Sequence, residues 1–433
     1  MAESALPDEL IHEIFLRLHG DGEVFALFCC ALTCKRWRRL VAGSSFLRRR
    51  WPSSLLGFFA SQTCAGSSVA FVPTGISEEA PALGDGHPPH RRLSSYVRDA
   101  PDYLDRSEPL TSRGSLLLVS LFSDEDDPEG PERDVACLAV CDLLAGRCYV
   151  LPALDCDSRF DHYDDYYGYA ILSSRAGDYP RYSDNHQLSP KFRVLMMIGQ
   201  DKHEARYNLH VFTCGEQGWN GPLECFNTME HRVWSIMHAN AIVCRGYVHW
   251  LLANSSNFYV LNFNAGTSQV SLTKLISPSP QNLRNHGHYT MEVAFDMLHN
   301  LFSANRLTTS AGGMLLTLCV YRSDSCRLEM WTRQEDDDGK QSGGDVAEWL
   351  QTRVIVLKLD QLNQQLKPPA TCRCLGERSG SLLIVDHRRR FYIADLETGA
   401  LEEVTQQFRG QNYNSIVPVE IDWPTFQDRG GLN

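Results

Sequence analysis

A small all-helical module followed by a large all-β domain is the fold class that this 433-residue sequence predicts. Three observations carry it. Apolar residues recur at helical spacing over a sustained stretch within about the first fifty residues, and such patterns are scarce and short beyond them. After Phe59, short β-rich runs alternate with Gly, Pro, Asn and acidic stretches. In that second part an Asx residue four places before a glycine returns at three positions.

The helical part covers residues 6–50. Pro7 suits a first helical turn, Asp8 and Glu9 favour its positive end, and Leu10, Ile11, Ile14, Phe15 and Leu18 fall on one apolar stripe. Gly20 and Gly22 interrupt that pattern. Residues 24–32 (VFALFCCAL) are then apolar nearly all round, too few to span a bilayer, and must be covered on more than one side. A module of about 45 residues lies near the lower size limit for independent stability. Its excess apolar surface is expected to be sheltered by the rest of the chain or by a partner.

Runs such as 115–122, 191–199, 207–214, 314–321 and 352–359 read as strands. Helical patterns between them, at 346–350 and 360–366, are too short to act as crossovers, so an antiparallel all-β body is favoured over an α/β one. Asp142, Asn262 and Asp395 each stand four residues before Gly146, Gly266 and Gly399, and each is followed by an apolar residue, the pattern of a hairpin turn. Alternating strands at 246–252 and 380–386 lead into two of these turns. Repetition of strand, turn and strand fits a β-propeller of roughly six to eight blades, with a large β-sandwich array as the alternative. Insertions are expected at 76–112, 123–134, 155–189 and 333–345, where Pro, Gly and acid runs replace alternation.

A composition of 43% hydrophobic and 22% charged residues excludes wholesale disorder, collagen and mini-protein scaffolds. The formal charge of −12 is uneven: residues 1–52 hold six acids and eight bases, leaving −14 on residues 53–433. An acidic body argues against nucleic acid as a partner. The opening MAESALPDELIHE lacks the basic and apolar pattern of a secretory signal, and no run reaches the ~18 apolar residues of a membrane span. The expected location is cytoplasm or nucleus, with no membrane partner, and the fifteen cysteines are expected to be reduced and mostly buried.

Leu6, Pro7, Leu10, Ile14 and Leu18 in LPDELIHEIFLRL, followed by Cys34, Lys35 and Trp37 in TCKRWRRL, resemble an F-box over about 45 residues. The continuation FLRRRWPSSLLGFF resembles that of many plant F-box proteins, particularly those of grasses. In these the rest of the chain is an F-box-associated propeller, and GYVHWL and CRLEMW are similar to its blades. The resemblance implies a three-helix F-box domain over residues 1–52 and a substrate-recognition domain over residues 53–433. It further implies a Skp-type adaptor and, through it, a cullin as partners. Carried over position by position, Leu6, Pro7, Leu10, Ile14, Leu18, Cys34 and Trp37 would be the adaptor contacts or their immediate supports. The alternative is that Trp37 and the leucines are simply core. Thr33 departs from the aliphatic residue that many members carry there. The basic cluster Lys35, Arg36, Arg38, Arg39 and Arg48 to Arg50 reads as the solvated face of the last helix or as a match for an acidic adaptor.

No G-x-S-x-G, Walker-type, G-x-G-x-x-G or H-E-x-x-H signature occurs, and no cofactor is expected. Cys137, Cys141, Cys148 and Cys156 with His162 invite a zinc reading, but without a C-x-x-C buried strand thiols account for them better. Phe160 stands where a calcium loop over 155–165 would need its turn glycine. The tyrosine-rich segment 159–182 admits two readings. Either Tyr163 and Tyr166 lie on a propeller face and grip a substrate protein, or YYGYAIL is a strand packed in its blade. The resemblance implies a non-catalytic substrate-recognition subunit of an SCF-type ubiquitin ligase. The rivals are a carbohydrate-binding or enzymatic propeller whose F-box sets only its turnover, and an F-box protein that uses its adaptor outside any ligase.

Overall fold

The computed structural model describes residues 6–17, 30, 33–41, 55–62, 68–74, 91–98, 100–121, 135–143, 145–155, 167–173, 192–200, 206–227, 235–236, 239–253, 258–275, 305–310, 315–322, 327–333, 346–347, 349–359, 370–376, 379–386, 388–408 and 413–420. Two helices come first, α1 (Asp8–Leu16) and α2 (Lys35–Val41). Among the described residues everything after them is β-structure, turn or irregular chain, apart from two 3-10 turns at Leu93–Tyr96 and Asp102–Arg106 and a four-residue helical turn, Thr405–Phe408. Between α1 and α2 only Cys30 and Thr33 are described before Cys34, both helical, and the rest of the expected third helix falls outside the described residues.

The chain divides into two compact units, residues 1–128, 137–153 and 406–433 in one and residues 129–136 and 154–405 in the other. The first unit holds both helices and two four-stranded sheets. One sheet runs in the order Tyr413–Glu420, Leu55–Gln62, Val69–Pro73, Arg91–Arg92, and the other in the order Glu108–Arg113, Leu116–Ser120, Leu138–Asp142, Arg147–Val150. Strands from the two ends of the body are therefore neighbours in one sheet, with Phe59 opposite Val417 and Ala60 opposite Ile416. Joining first and last strands is how a ring of sheets removes its open edges.

Proline sets the limits of these two sheets. Pro418 and Pro109 both sit on edge strands, the only strands of a sheet that tolerate a missing N–H. Ser112 Oγ donates to the carbonyl of Pro418, and Ser415 Oγ donates to that of Pro109. The two edges thus meet through reciprocal serine hydroxyls while proline keeps their ladders from fusing. One core fills this unit: Phe59, Phe71, Leu117, Val119, Cys141 and Val417 from the sheets cluster with Ile11, Phe15, Leu40 and Val41 from the helices.

The second unit contains four sheets of four or more strands among the described residues, each built mainly from antiparallel neighbours in chain order. The first is Tyr167–Ser173, Phe192–Gln200, Arg206–Thr213, Leu223–Asn227; the next centres on Tyr247–Ala253, Phe258–Asn264 and Val270–Leu275. Asn305–Ser310, Leu315–Arg322, Arg327–Arg333 and Trp349–Val356 form the third, and Ala370–Leu375, Ser381–Asp386, Phe391–Asp395 and Ala400–Glu403 the core of the fourth. Short parallel pairings, Lys274 with Val346 and Lys358 with Ala400, join the segments flanking Trp349–Val356 to the sheets on either side. The body is all-β with a propeller-like arrangement of successive sheets.

Several sequence expectations are corrected. Within 346–350, which carries a short helical pattern, Val346–Ala347 and the start of Trp349–Val356 are strand, because Val346 and Trp349 are β-formers and pairing partners are at hand. The expected insertions 76–112 and 155–189 hold paired strands, Glu108–Arg113 and Tyr167–Ser173. Proline at 109 and four polar residues hide the first strand, while tyrosines hide the second. Two of the three repeat turns fold as read. Asp142 Oδ1 accepts the amide of Ala145 at 3.1 Å, and Asp395 Oδ1 accepts those of Glu397 and Thr398 at 2.6 and 3.1 Å. Gly146 and Gly399 supply the left-handed residue of each turn, at φ 60° and 77°. The third turn is displaced by two residues: Asn264, not Asn262, caps it through the amides of Gly266 and Thr267 at 2.8 and 3.0 Å, and Ser268 takes the left-handed position at φ 58°. Asn262 lies within the strand, buried, with its side-chain oxygen 2.8 Å from His249 Nδ1.

Two glycines are fixed by space. A methyl on Gly399, already at φ 77°, would stand 2.7 Å from Ile355 Cγ2 and 2.8 Å from the Val356 carbonyl. One on Gly168 would stand 2.8 Å from Trp250 Nε1, in the centre of the second unit's core. Gly399→Ala is expected to destabilise by about 2–3 kcal/mol, strain and overpacking together, and Gly168→Ala by about 1–3 kcal/mol. Chemical denaturation of the full chain checks both.

Candidate functional site

Among the described residues, three exposed large aliphatic side chains lie together on or just before the first helix. α1 starts after Pro7, which occupies the N-cap rather than the first turn and offers no side-chain cap; Asp8 and Glu9 in the first turn meet the helix's positive end instead. α2 starts after Cys34, whose sulfur accepts the backbone N–H of Trp37 at 3.4 Å. A thiol therefore does there what Ser or Asp does at most helix starts. The helices are pinned to each other at two points. The Arg36 guanidinium donates to Asp8 Oδ1 from Nε at 2.8 Å and from Nη2 at 2.6 Å, and also to the Leu6 carbonyl. The His12 ring lies 3.2 Å from the Leu40 carbonyl. Because Arg36 and Asp8 are both substantially solvent-exposed, their pair contributes well under ~1 kcal/mol and acts chiefly to set the register of the helices.

The apolar stripe of α1 splits into two rows. Ile11 and Phe15 turn inward, 4% and 1% exposed, and Trp37 packs edge-on against Phe15 with ring centroids 5.4 Å apart. Leu6, Leu10 and Ile14, four residues apart, face outward and remain 53%, 51% and 50% exposed. Pro7 and Cys34 are exposed beside them, while Trp37 is half-buried and serves as a support. Among the residues expected at this site, Leu18 lies outside the described residues. Of the basic cluster, Arg36 is committed to Asp8. Ile11, Phe15, Arg36 and Asp8 were not singled out from sequence as the frame of the face. Phase along the helix could have separated the two rows, whereas the pairing of Arg36 with Asp8 has no local signal.

In the body, Tyr163 and Tyr166 lie outside the described residues, and the adjoining Tyr167–Ser173 is a paired strand. Tyr167 and Tyr169 stack at 6.4 Å. One charged group in the body is a turn lock. The buried Asp386 carboxylate accepts the amides of Arg388 and Arg390 at 2.8 and 2.9 Å and Nε of Arg390 at 2.8 Å. Beneath it Tyr392 is buried, its phenol without a hydrogen-bond partner among the described residues. Burial pushes that phenol up to about 12, with Arg390 opposing. Among the described residues no three His, Cys, Asp or Glu side chains converge as metal ligands, and no helix is long and apolar enough to cross a membrane.

The F-box-like family profile matches residues 4–51, the segment that carries both helices. The N-terminus of this chain is an F-box-like domain, and the body that follows is all-β and propeller-like. No curated protein matches the chain. Among solved structures, a prolyl endopeptidase is similar over 92% of this chain at 10% identity and a TM-score of 0.34, and the chain spans 45% of its length. The α-L-arabinofuranosidase Arb93A from Fusarium graminearum is similar over 71% of this chain and 83% of its own, at 11% identity and a TM-score of 0.29. Apo AztD from Citrobacter koseri is similar over 71% and 58%, at 7% identity and a TM-score of 0.23.

The two rows of the stripe are expected to differ in what their substitution costs the fold. Leu10→Asp with Ile14→Asp is expected to change stability by no more than about 0.5 kcal/mol per site, whereas Phe15→Ala costs about 3–5 kcal/mol; urea titration distinguishes them. At Tyr392 the folded-state pKa lies above the unfolded value, so the neutral phenol's contribution is intact below pH ~10 and declines as pH rises toward 12. Tyr392→Phe is expected to flatten that alkaline decline without lowering stability at pH 7, read from melting curves across the range.

Proposed function

We propose that this chain is the substrate-recognition subunit of an SCF-type ubiquitin ligase, of the kind found in plants and particularly in grasses. The F-box-like segment docks a Skp-type adaptor and, through it, a cullin, and the propeller-like body holds the protein to be ubiquitinated. The observation that carries this reading is the outward row Leu6, Leu10 and Ile14, backed by the buried inward row and by Trp37 packed on Phe15. Three large aliphatic side chains at four-residue spacing, half exposed and backed by a packed core, form an anchor row for a partner's apolar groove. Cys34 and Pro7 border it, and Leu18 would extend it by one further turn.

The chain supplies no bond-making step of its own in this reading. Holding a target lysine beside a charged conjugating enzyme raises its effective concentration, which is the whole of the contribution. The target would be bound by the body, with Tyr163 and Tyr166 as proposed contacts, in the cytoplasm or nucleus.

The test is co-purification of the full chain with a Skp-type adaptor and a cullin, beside Leu10→Asp with Ile14→Asp. Wild type is expected to retain both subunits. The double variant is expected to lose adaptor affinity by at least roughly 30-fold, the scale of a hot-spot loss, while keeping its melting curve. A wild-type chain that retains neither subunit, or a double variant that still retains both, overturns the proposal.

A further inference from the structure

Cys141 and Cys148 face each other across the hairpin formed by Leu138–Asp142 and Arg147–Val150. The amide of Leu151 donates to the carbonyl of Leu138 at 2.8 Å, which fixes the alternation of the ladder. Counting inward from that bonded pair, 140 with 149 and 142 with 147 are bonded pairs, and Cys141 with Cys148 is a non-bonded pair. That position brings the Cα atoms to about 4.5 Å, inside the ~4.4–6.8 Å window of a disulfide. The sulfurs lie 3.9 Å apart, with the Cys141 thiol donating to the sulfur of Cys148. Both are free thiols.

We infer that Cys141 and Cys148 are a peroxide-oxidisable dithiol that closes to a cross-strand disulfide in the folded protein. The roles follow from placement. Cys141 is fully buried in the first unit's core, whereas Cys148 is half-buried on the outermost strand of its sheet. The hydrogen bond from Cys141 holds the Cys148 thiol below its usual value against the opposing effect of burial, and the same bond, with burial, raises Cys141. Cys148 is thus the attacking sulfur and Cys141 the resolving one.

In the first step the Cys148 thiolate attacks one oxygen of hydrogen peroxide. The O–O bond breaks, hydroxide leaves and is protonated to water, and Cys148 becomes a sulfenic acid. In the second, the Cys141 sulfur attacks the Cys148 sulfur and the S–O bond breaks. The departing oxygen leaves as water with the Cys141 proton, and the S–S bond forms. Two thiols lose two electrons and one peroxide becomes two waters. The staple would tie together two strands whose side chains share a core with Ile11 and Phe15 and against which Trp37 packs.

The test treats the reduced full chain with hydrogen peroxide, then alkylates, digests with trypsin and measures masses. Arg147 lies between the two cysteines, so closure joins peptides 134–147 and 148–159 into one species about 2 Da below their sum. Wild type is expected to lose two alkylatable thiols, and Cys137→Ser to behave identically. Cys141→Ser should leave Cys148 as a sulfenic acid that dimedone traps, and Cys148→Ser should abolish the linked pair. Cys141→Ala, with its melting curve, stands in if the serine variant does not fold. Persistence of both thiols in wild type, or a linked pair that survives Cys148→Ser, overturns the inference.

Discussion

The pairing of Leu55–Gln62 with Tyr413–Glu420 is the constraint on which the first unit depends. It joins segments more than three hundred residues apart, so its closure entropy exceeds that of a local hairpin. What holds it is apolar: Phe59, Ala60 and Val417 are essentially removed from water. Proline at 418 and 109 then stops the two neighbouring edges from running into one continuous ladder, and the serine hydroxyls satisfy carbonyls that the ladder would otherwise have used.

The helices rest on that sheet pair. A domain boundary near residue 52 follows the change of secondary structure, but the core does not respect it, since Ile11, Phe15, Leu40 and Val41 are buried with Phe59, Phe71 and Leu117. A segment of this size buries too little surface alone. Sharing a core leaves α1 free to present its second apolar row outward without losing its fold, which is the condition for an exposed apolar row to coexist with a stable protein.

Much of this was legible in the chain. The strand runs, the antiparallel class, the helical start and two of three repeat turns each rest on local chemistry: alternation, an acidic first turn, or an Asx and a glycine four apart. The misplaced third turn shows the limit. Asn262 and Gly266 satisfy the same spacing as the true pairs, but Asn264 and Ser268 do the work because the register with Tyr247–Ala253 puts Asn262 opposite His249, inside the sheet. Strand register is a cross-chain property that no single segment states. Likewise Glu108–Arg113 is hidden by its proline, which an edge position tolerates and a central one would not.

By itself the sequence determined the class of each part, the F-box-like start and the identity of Leu10, Ile11, Ile14, Phe15 and Leu18 as one apolar stripe, because helical period and side-chain chemistry are local. Only the tertiary structure decided which of them face water. A sheet pair drawn from both ends of the body covers Ile11 and Phe15 and stops there, leaving one row of the same stripe to solvent. The same is true of Cys141 and Cys148, two strand thiols by sequence, whose sulfurs become neighbours only through the register of the ladder.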